Sequence, residues 1–303
     1  MLVLPSDFLA GMGSDNAVAT VLGKAMTFDL RNAINAISDV VQNRPPPLRE
    51  FDQIYMKVAD MVIQAEYVAR VFNGKDIVFV GDGDGIALSA AHLKAQDVID
   101  YGPSSITLLD FDERIVRSVE RFGEKLSDKV QISAHLYNVA DPLPELHFGA
   151  YDGFHINPPW GASNGGESVT AFFERGSQAT KAQSLGIVVI ADDPDLPWTQ
   201  QVLRDTQTRA IQLGYVVAEM QPQLHLYHLD DNPDLRSCSC LFRRVDPACI
   251  EMTSEPLDQS RLGNFYGRGS PLRVKYVRQP GTLNPDRESD RLYSLEPLEV
   301  TNG

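Results

Sequence analysis

Apolar residues recur at near-helical spacing through NAVATVLGKAMTFDLRNAINAISDVVQN, where Val18, Val21, Leu22 and Ala25 are followed by Leu30, Ile34 and Ile37. Residues 1–44 are therefore expected to be helical. RPPPLRE at 44–50 ends that pattern, because consecutive prolines cannot continue a helix. A second amphipathic helix is expected through YMKVADMVIQAEYVARVF, residues 55–72. From residue 76 the period changes. DIVFV (76–80) is an apolar run of strand length, a glycine turn follows, and IALSAAHLKA behind it reads as a helix. The alternation repeats through strand ITLLDFD (106–112), helix ERIVRSVERFGEKL and strand VQISAHLYN. It continues through strand YDGFHI (151–156), helix ESVTAFFERGSQATKA, strand LGIVVIA (185–191) and helix WTQQVLRDTQTRAIQLG, closed by Gly214. YVVAEMQPQLHLYHL and RSCSCLFRRV then follow one another with no helix between them, which reads as an antiparallel pair.

Strand–helix alternation implies a parallel sheet with helices on both faces. The terminal antiparallel pair makes this α/β pattern resemble the seven-stranded, mostly parallel, Rossmann-like sheet of class I S-adenosylmethionine methyltransferases more than that of a dinucleotide-binding dehydrogenase. The expected organisation is a helical N-terminal segment (1–48), a catalytic domain (49–248) and an irregular C-terminal tail (249–303).

Composition narrows the partners. The chain has 41 acidic against 27 basic residues, a formal net charge of -14. Nucleic-acid affinity depends on lysines and arginines neutralising phosphates, so this balance argues against DNA or RNA and favours cations. No apolar run reaches the roughly 20 residues that span a bilayer, and the N-terminus lacks the pattern of a signal peptide, so a cytoplasmic protein with no membrane partner is expected. The three cysteines, Cys238, Cys240 and Cys249, have poor zinc spacing and read as ordinary strand residues. His225 and His228 in HLYH should face opposite sides of a strand, and no metal site is expected.

The unusual polar clusters fall at the carboxyl ends of the expected strands, where doubly wound sheets bind ligands. Gly81, Gly83 and Gly85 form G-x-G-x-G after the first strand, with Asp82 and Asp84 between them. The glycines leave room for a ligand, whereas the two carboxylates suit a sulfonium or an ammonium better than a pyrophosphate. A plain tight turn competes with that reading. Asp110, Asp112 and Glu113 follow the second strand: Asp110 is placed to accept the hydroxyls of a nucleoside ribose, and Asp112 or Glu113 to cap the next helix. Asn138, closing the third strand, is grouped with the cosubstrate-binding residues. NPPW, Asn157 to Trp160, ends the fourth strand. Pro158 and Pro159 fix a rigid turn that aims the Asn157 side-chain carbonyl at the N–H of an amine or amide, and Trp160 offers an aromatic face. This tetrapeptide points to a nitrogen nucleophile. Asp192, Asp193 and Asp195 in ADDPDLPW could neutralise a polycation, or could equally form a solvated loop that starts a helix.

These residues together resemble the branched-chain polyamine synthases, the N4-bis(aminopropyl)spermidine synthases. The resemblance runs from about residue 51 to 245 and rests on FDQIY at 51–55, the GDGD loop, ITLLDFDERIV, PLP at 142–144, YDGFHINPPW and AFFERGSQA at 171–179. It implies a class I methyltransferase-like fold and aminopropyl transfer from decarboxylated S-adenosylmethionine to a spermidine nitrogen. On that pattern Asp84 would hold the aminopropyl ammonium, Asp110 the ribose, and Asp82 would add to cation binding. Two departures stand out. The family's Gly-Asp-Asp-Asp loop here has Gly83 as its middle residue, and Asn157 stands where polyamine synthases often carry an aspartate. Gly83 matches linear spermidine synthases and ordinary methyltransferases instead. Asp82, Asp84, Asn157 and Trp160 are the expected catalytic set, with a polyamine in contact with Pro158, Pro159, Trp160 and the 192–195 acids. N-methylation from S-adenosylmethionine and a non-catalytic polyamine or nucleoside sensor are the alternatives. The oligomeric state stays open, with a homodimer allowed.

Overall fold

The computed structural model describes residues 20–21, 24–25, 28–126, 129–230, 232–247, 253–280 and 293–298. Among the described residues, the helix expected over residues 1–44 is present as α1, Leu30–Asn43. Asp29 starts it by accepting the amides of Arg31 and Asn32 at 2.8 and 3.2 Å. Before it, Thr20–Val21 (β1) and Lys24–Ala25 (β2) pair as a short antiparallel ribbon, against the helical expectation. The rest of residues 1–27 lies outside the described residues. After α1 the proline turn leads to a 3-10 turn at Arg49–Phe51 and then to α2, Val58–Val71.

The alternating region follows its pattern: β3 (Asp76–Val80), α3 (Ile86–Ala95), β4 (Ser105–Asp110), α4 (Glu113–Gly123), β5 (Gln131–Leu136), β6 (Tyr151–Ile156), α5 (Glu167–Ala179), β7 (Thr180–Ala191) and α6 (Pro197–Gln212). β8 (Tyr215–Leu226) and β9 (Arg236–Arg244) complete it. The α5 helix stops earlier than expected because Thr180 already pairs with Tyr151, which makes β7 twelve residues long. The sheet order is β5-β4-β3-β6-β7-β9-β8, with β3 to β7 parallel and β9 antiparallel to both of its neighbours. This is the seven-stranded methyltransferase-like sheet.

Its central strands are buried on both faces, and they accordingly read as continuous apolar runs rather than alternating ones. Val78, Phe79, Phe154 and Ile187 through Ala191 are shut off from water. The helices α1, α2 and α3 pack on one another, and Ala33, Ile37 and Val40 of α1 enter the same core as the strands. β3 lies between β4 and β6: the chain runs outward from β3 to β4 and β5, then crosses back to β6 on the other side. That reversal opens a crevice at the carboxyl ends of β3 and β6.

The C-terminal segment has a largely irregular backbone, with β10 (Val274–Arg278) paired to β11 (Ser294–Pro297). It is nevertheless well packed. Leu257, Leu262, Phe265, Tyr266 and Val277 form a second apolar cluster with Phe51, Val139 and Ala171. Val277 also bridges to Asp112, which lays this segment along the end of β4.

Candidate active site

A cavity of about 240 Å³ opens at the ends of β3 and β6, space for an organic ligand rather than a lone ion. Gly81, Asp82, Gly83 and Asp84 line it, whereas Gly85 sits behind them as the left-handed N-cap of α3. Asp82 accepts the Ile86 and Ala87 amides at 2.9 and 2.8 Å, two of the unpaired donors in the first turn of α3. A phosphate would need those same amides, and a carboxylate already holds them. Asp84 accepts the Met56 amide and the Asn157 side-chain amide, each at 2.6 Å. Arg44 stacks over the Tyr55 ring at 4.1 Å and donates to the Asp84 carbonyl at 2.8 Å.

Asp110 lines the cavity and holds the loop, accepting the Asp82 and Asp112 amides at 3.0 and 2.9 Å. Each of its oxygens keeps a second lone pair for a ligand. Asp112 caps α4 through the Arg114 amide and grips the Arg114 guanidinium with both oxygens, at 2.9 and 2.6 Å. The capping role weighed for Asp112 or Glu113 therefore belongs to Asp112.

Burial pushes the Asp82 carboxyl up to about 7, against the pull of the two helix amides, and the nearby carboxylates of Asp84 and Asp110 add to the rise. Asp110 is likewise pushed to about 7, first by burial and then by Asp112. Asp84 rises for the same reason, restrained by the Met56 amide and by Arg44. Three buried carboxyls around one cavity cost free energy to ionise, and a cationic ligand would remove that cost.

Asn157, Pro158, Pro159 and Trp160 also line the cavity. A carboxylate only accepts, so Asp84 fixes the Asn157 amide orientation: Nδ2 faces Asp84 and the carbonyl is left for a ligand N–H. Trp160 packs edge-on against Tyr227, with ring centroids 5.3 Å apart, and its indole N–H is buried without an acceptor among the described residues. Tyr227 is held from behind. Its hydroxyl meets Ser237 at 2.7 Å, Ser237 meets His225, and Gln64 links His225 to His155 at 3.0 and 3.1 Å. Burial pulls both histidines down to about 3, so both are neutral members of this chain. His228, by contrast, is exposed.

Two groups of expected site residues have other employment. Asp192 lies outside the cavity lining; it accepts Gln200 Nε2 and the Gln223 amide, each at 3.0 Å, which braces a bulge in β8. Asp193 accepts the Asp195 amide at 3.0 Å and Asp195 is exposed, so this run is the helix-initiating loop before α6. Asn138 does border the cavity, but its amide donates to the Val274 and Lys275 carbonyls at 3.0 and 2.6 Å and so anchors the C-terminal segment.

The cavity also recruits residues that no sequence signal had marked for a role. Asp52, Gln53 and Tyr55 come from FDQIY, Tyr227 from HLYH, and Tyr266 and Gly267 from the C-terminal segment. FDQIY was visible as a motif, but its distance of nearly thirty residues from the loop hid its place. Among the described residues no three His, Cys, Asp or Glu side chains gather as a metal site. Nor is any described helix long and apolar enough to cross a membrane.

Comparison with known proteins bears on this geometry. The profile of the branched-chain polyamine synthase A C-terminal domain matches residues 24–255. The N(4)-bis(aminopropyl)spermidine synthase of Thermus thermophilus is 26% identical over 191 residues, 61% of this chain and 50% of the relative. The enzyme of the same name from Methanocaldococcus jannaschii is 27% identical over 181 residues, 57% of this chain and 47% of the relative. The chain thus spans about half the length of the curated relatives it matches. A crystal structure of the Thermus thermophilus branched-chain polyamine synthase with N4-aminopropylspermidine and 5'-methylthioadenosine superposes with a TM-score of 0.59 at 22% identity, covering 75% of this chain and 69% of that one. With its profile matched across most of the sheet and its loops, the chain belongs to the branched-chain polyamine synthase family.

Proposed function

We propose that this protein transfers an aminopropyl group from decarboxylated S-adenosylmethionine to a nitrogen of a spermidine-like polyamine. The observation that carries the reading is the trio of buried carboxyls, Asp82, Asp84 and Asp110, lining one cavity together with the Asn157–Trp160 turn. A sulfonium with an ammonium tail and a polyamine are both cations, and both suit that wall. The names of the relatives and the ligands of the structural neighbour point the same way. A net charge of -14 disfavours a nucleic-acid acceptor.

Asp110 would take the ribose hydroxyls on its free lone pairs. Asp84 and Asp82 would attract the aminopropyl end, and the Asn157 carbonyl would hold the N–H of the attacking amine. The displacement needs an unprotonated nitrogen in line with the carbon at roughly 3–3.5 Å, so positioning supplies much of the catalysis. Methyl transfer from S-adenosylmethionine is the second reading, favoured by Gly83, which leaves the loop with the G-x-G-x-G of methyltransferases.

Incubation with spermidine and each cosubstrate in turn, followed by mass spectrometry, tests both. A mass gain of one or two aminopropyl groups is expected. A gain of methyl groups would install the second reading, and binding without turnover would make the protein a sensor.

A further inference from the structure

The carboxylates of the cavity are not equivalent. Both oxygens of Asp82 hold helix amides, both of Asp84 hold the Met56 and Asn157 N–H groups, and both of Asp110 hold loop amides. Each of these oxygens is already engaged in a bond that shapes the site. Asp52 also lines the cavity, and its carboxylate has no hydrogen-bond or ion-pair partner among the described residues. Its backbone is left-handed, φ 58° and ψ 24°, at the end of the 3-10 turn, a conformation uncommon outside glycine and often found at functional sites.

The segment that carries Asp52 lies against the glycine loop. A Cβ placed on Gly83 would stand 3.3 Å from Tyr55 Cε1 and 4.0 Å from Gln53 Cγ, and Gln53 Nε2 donates to Asp112 at 3.1 Å. Asp52 immediately precedes these residues in the chain, and it lines the same cavity as Gly83, the position that lacks an acid. Arg49, on its own turn, is the charged group acting on it, and Asp82, Asp84 and Asp110 line the same cavity.

Building on the aminopropyl-transfer reading, we propose that Asp52 is the catalytic base that takes the proton from the acceptor amine. The acceptor enters as a secondary ammonium, R2NH2+. The Asp52 carboxylate accepts one proton and leaves R2NH with a free lone pair. That pair forms the new C–N bond while the C–S bond breaks, its electrons staying on sulfur as a neutral thioether. The product nitrogen is a tertiary ammonium bearing the remaining hydrogen, and Asp52 passes its proton to water. Burial raises the Asp52 carboxyl to about 6, Arg49 opposing, which brings it closer to an amine than an ordinary aspartate is.

Asp52→Asn and Asp52→Gly test this, since both residues adopt the left-handed region and preserve the turn. Assayed in the full chain with spermidine and decarboxylated S-adenosylmethionine, each should melt like the wild type and lose about 10²-fold or more in kcat, with a smaller change in KM. Added formate, a small carboxylate that can enter the vacated space, should restore part of the rate to Asp52→Gly. An Asp52→Asn rate within about threefold of wild type overturns the assignment, and so does a folded Asp52→Gly that formate leaves unchanged. Those results would leave the aminopropyl reading standing. Failure of the wild-type protein itself to add aminopropyl overturns that reading, and the role of Asp52 with it.

Discussion

The side-chain amide of Asn157 donates to Asp84 across 2.6 Å and ties the turn after β6 to the loop after β3. One hydrogen bond thus spans the two strand ends that define the crevice. It also turns the Asn157 carbonyl toward the ligand side, which a free asparagine would not be obliged to do.

Replacing Asn157 by aspartate would place two carboxyls at that distance, and the pair would have to share a proton. The pair's proton affinity in the folded state then rises above that of the unfolded chain, so its contact is intact at low pH and lost as pH rises through the folded pKa. Asn157→Asp should therefore melt close to wild type at pH 5 and well below it at pH 8, by about 1–3 kcal/mol in stability. Thermal unfolding of both proteins at the two pH values checks this, and equal gaps at both would refute it.

Asp82 and Asp110 make ligand binding pH-dependent. With carboxyls at about 7 they are each near half protonated in the empty cavity at neutral pH. A cation beside them favours the ionised forms, so binding at pH 7 should release about one proton in all and tighten between pH 6 and 8. Titration calorimetry with spermidine in two buffers of different ionisation enthalpy measures that release. A binding heat independent of the buffer would show that these acids do not sense the ligand.

How much of this was legible in the sequence depends on where the determining contact lies. Val78 to Val80 and Ile187 to Ala191 announced themselves because a strand buried on both faces must be apolar throughout. NPPW and GDGDG could be placed at the site because strand ends meet ligands in this architecture. Roles set by distant partners could not be read. Asp192 stands next to the expected crevice in sequence, yet it serves a bulge at Gln223. Asn138 looked like a cosubstrate residue, yet it holds carbonyls more than 130 residues away. The C-terminal segment has no period to read, because Leu257, Phe265 and Tyr266 pack singly from loops.

The loop glycines should respond differently to substitution. Gly81 has φ 75°, and an added Cβ would meet Phe172 Cε1 at 3.1 Å. Alanine there takes on the left-handed penalty of about 1–2 kcal/mol and must also displace a ring. Gly83 is not left-handed, and its Cβ would meet the edge of Tyr55 at 3.3 Å and Gln53 Cγ at 4.0 Å. Gly81→Ala should thus lose at least 1 kcal/mol more stability than Gly83→Ala (about the left-handed penalty alone) in urea denaturation. Equal losses would mean that packing, not backbone conformation, dictates the glycines.

Asn138→Ala should weaken ligand binding without touching a ligand. The substitution removes the two hydrogen bonds donated to the Val274 and Lys275 carbonyls and the one that Asn138 Oδ1 accepts from the Ala140 amide at 2.9 Å, at a cost of about 1–3 kcal/mol. The first two hold the segment whose Tyr266 and Gly267 close one side of the cavity. Phe265, fully buried beside Tyr266, keeps its apolar packing, so the segment should loosen rather than detach. Faster proteolysis within residues 253–280, together with a several-fold weaker calorimetric affinity for spermidine and a melting temperature lowered by only a few degrees, is the expected pattern. Faster proteolysis with unchanged affinity would show that the C-terminal segment covers the site without shaping it.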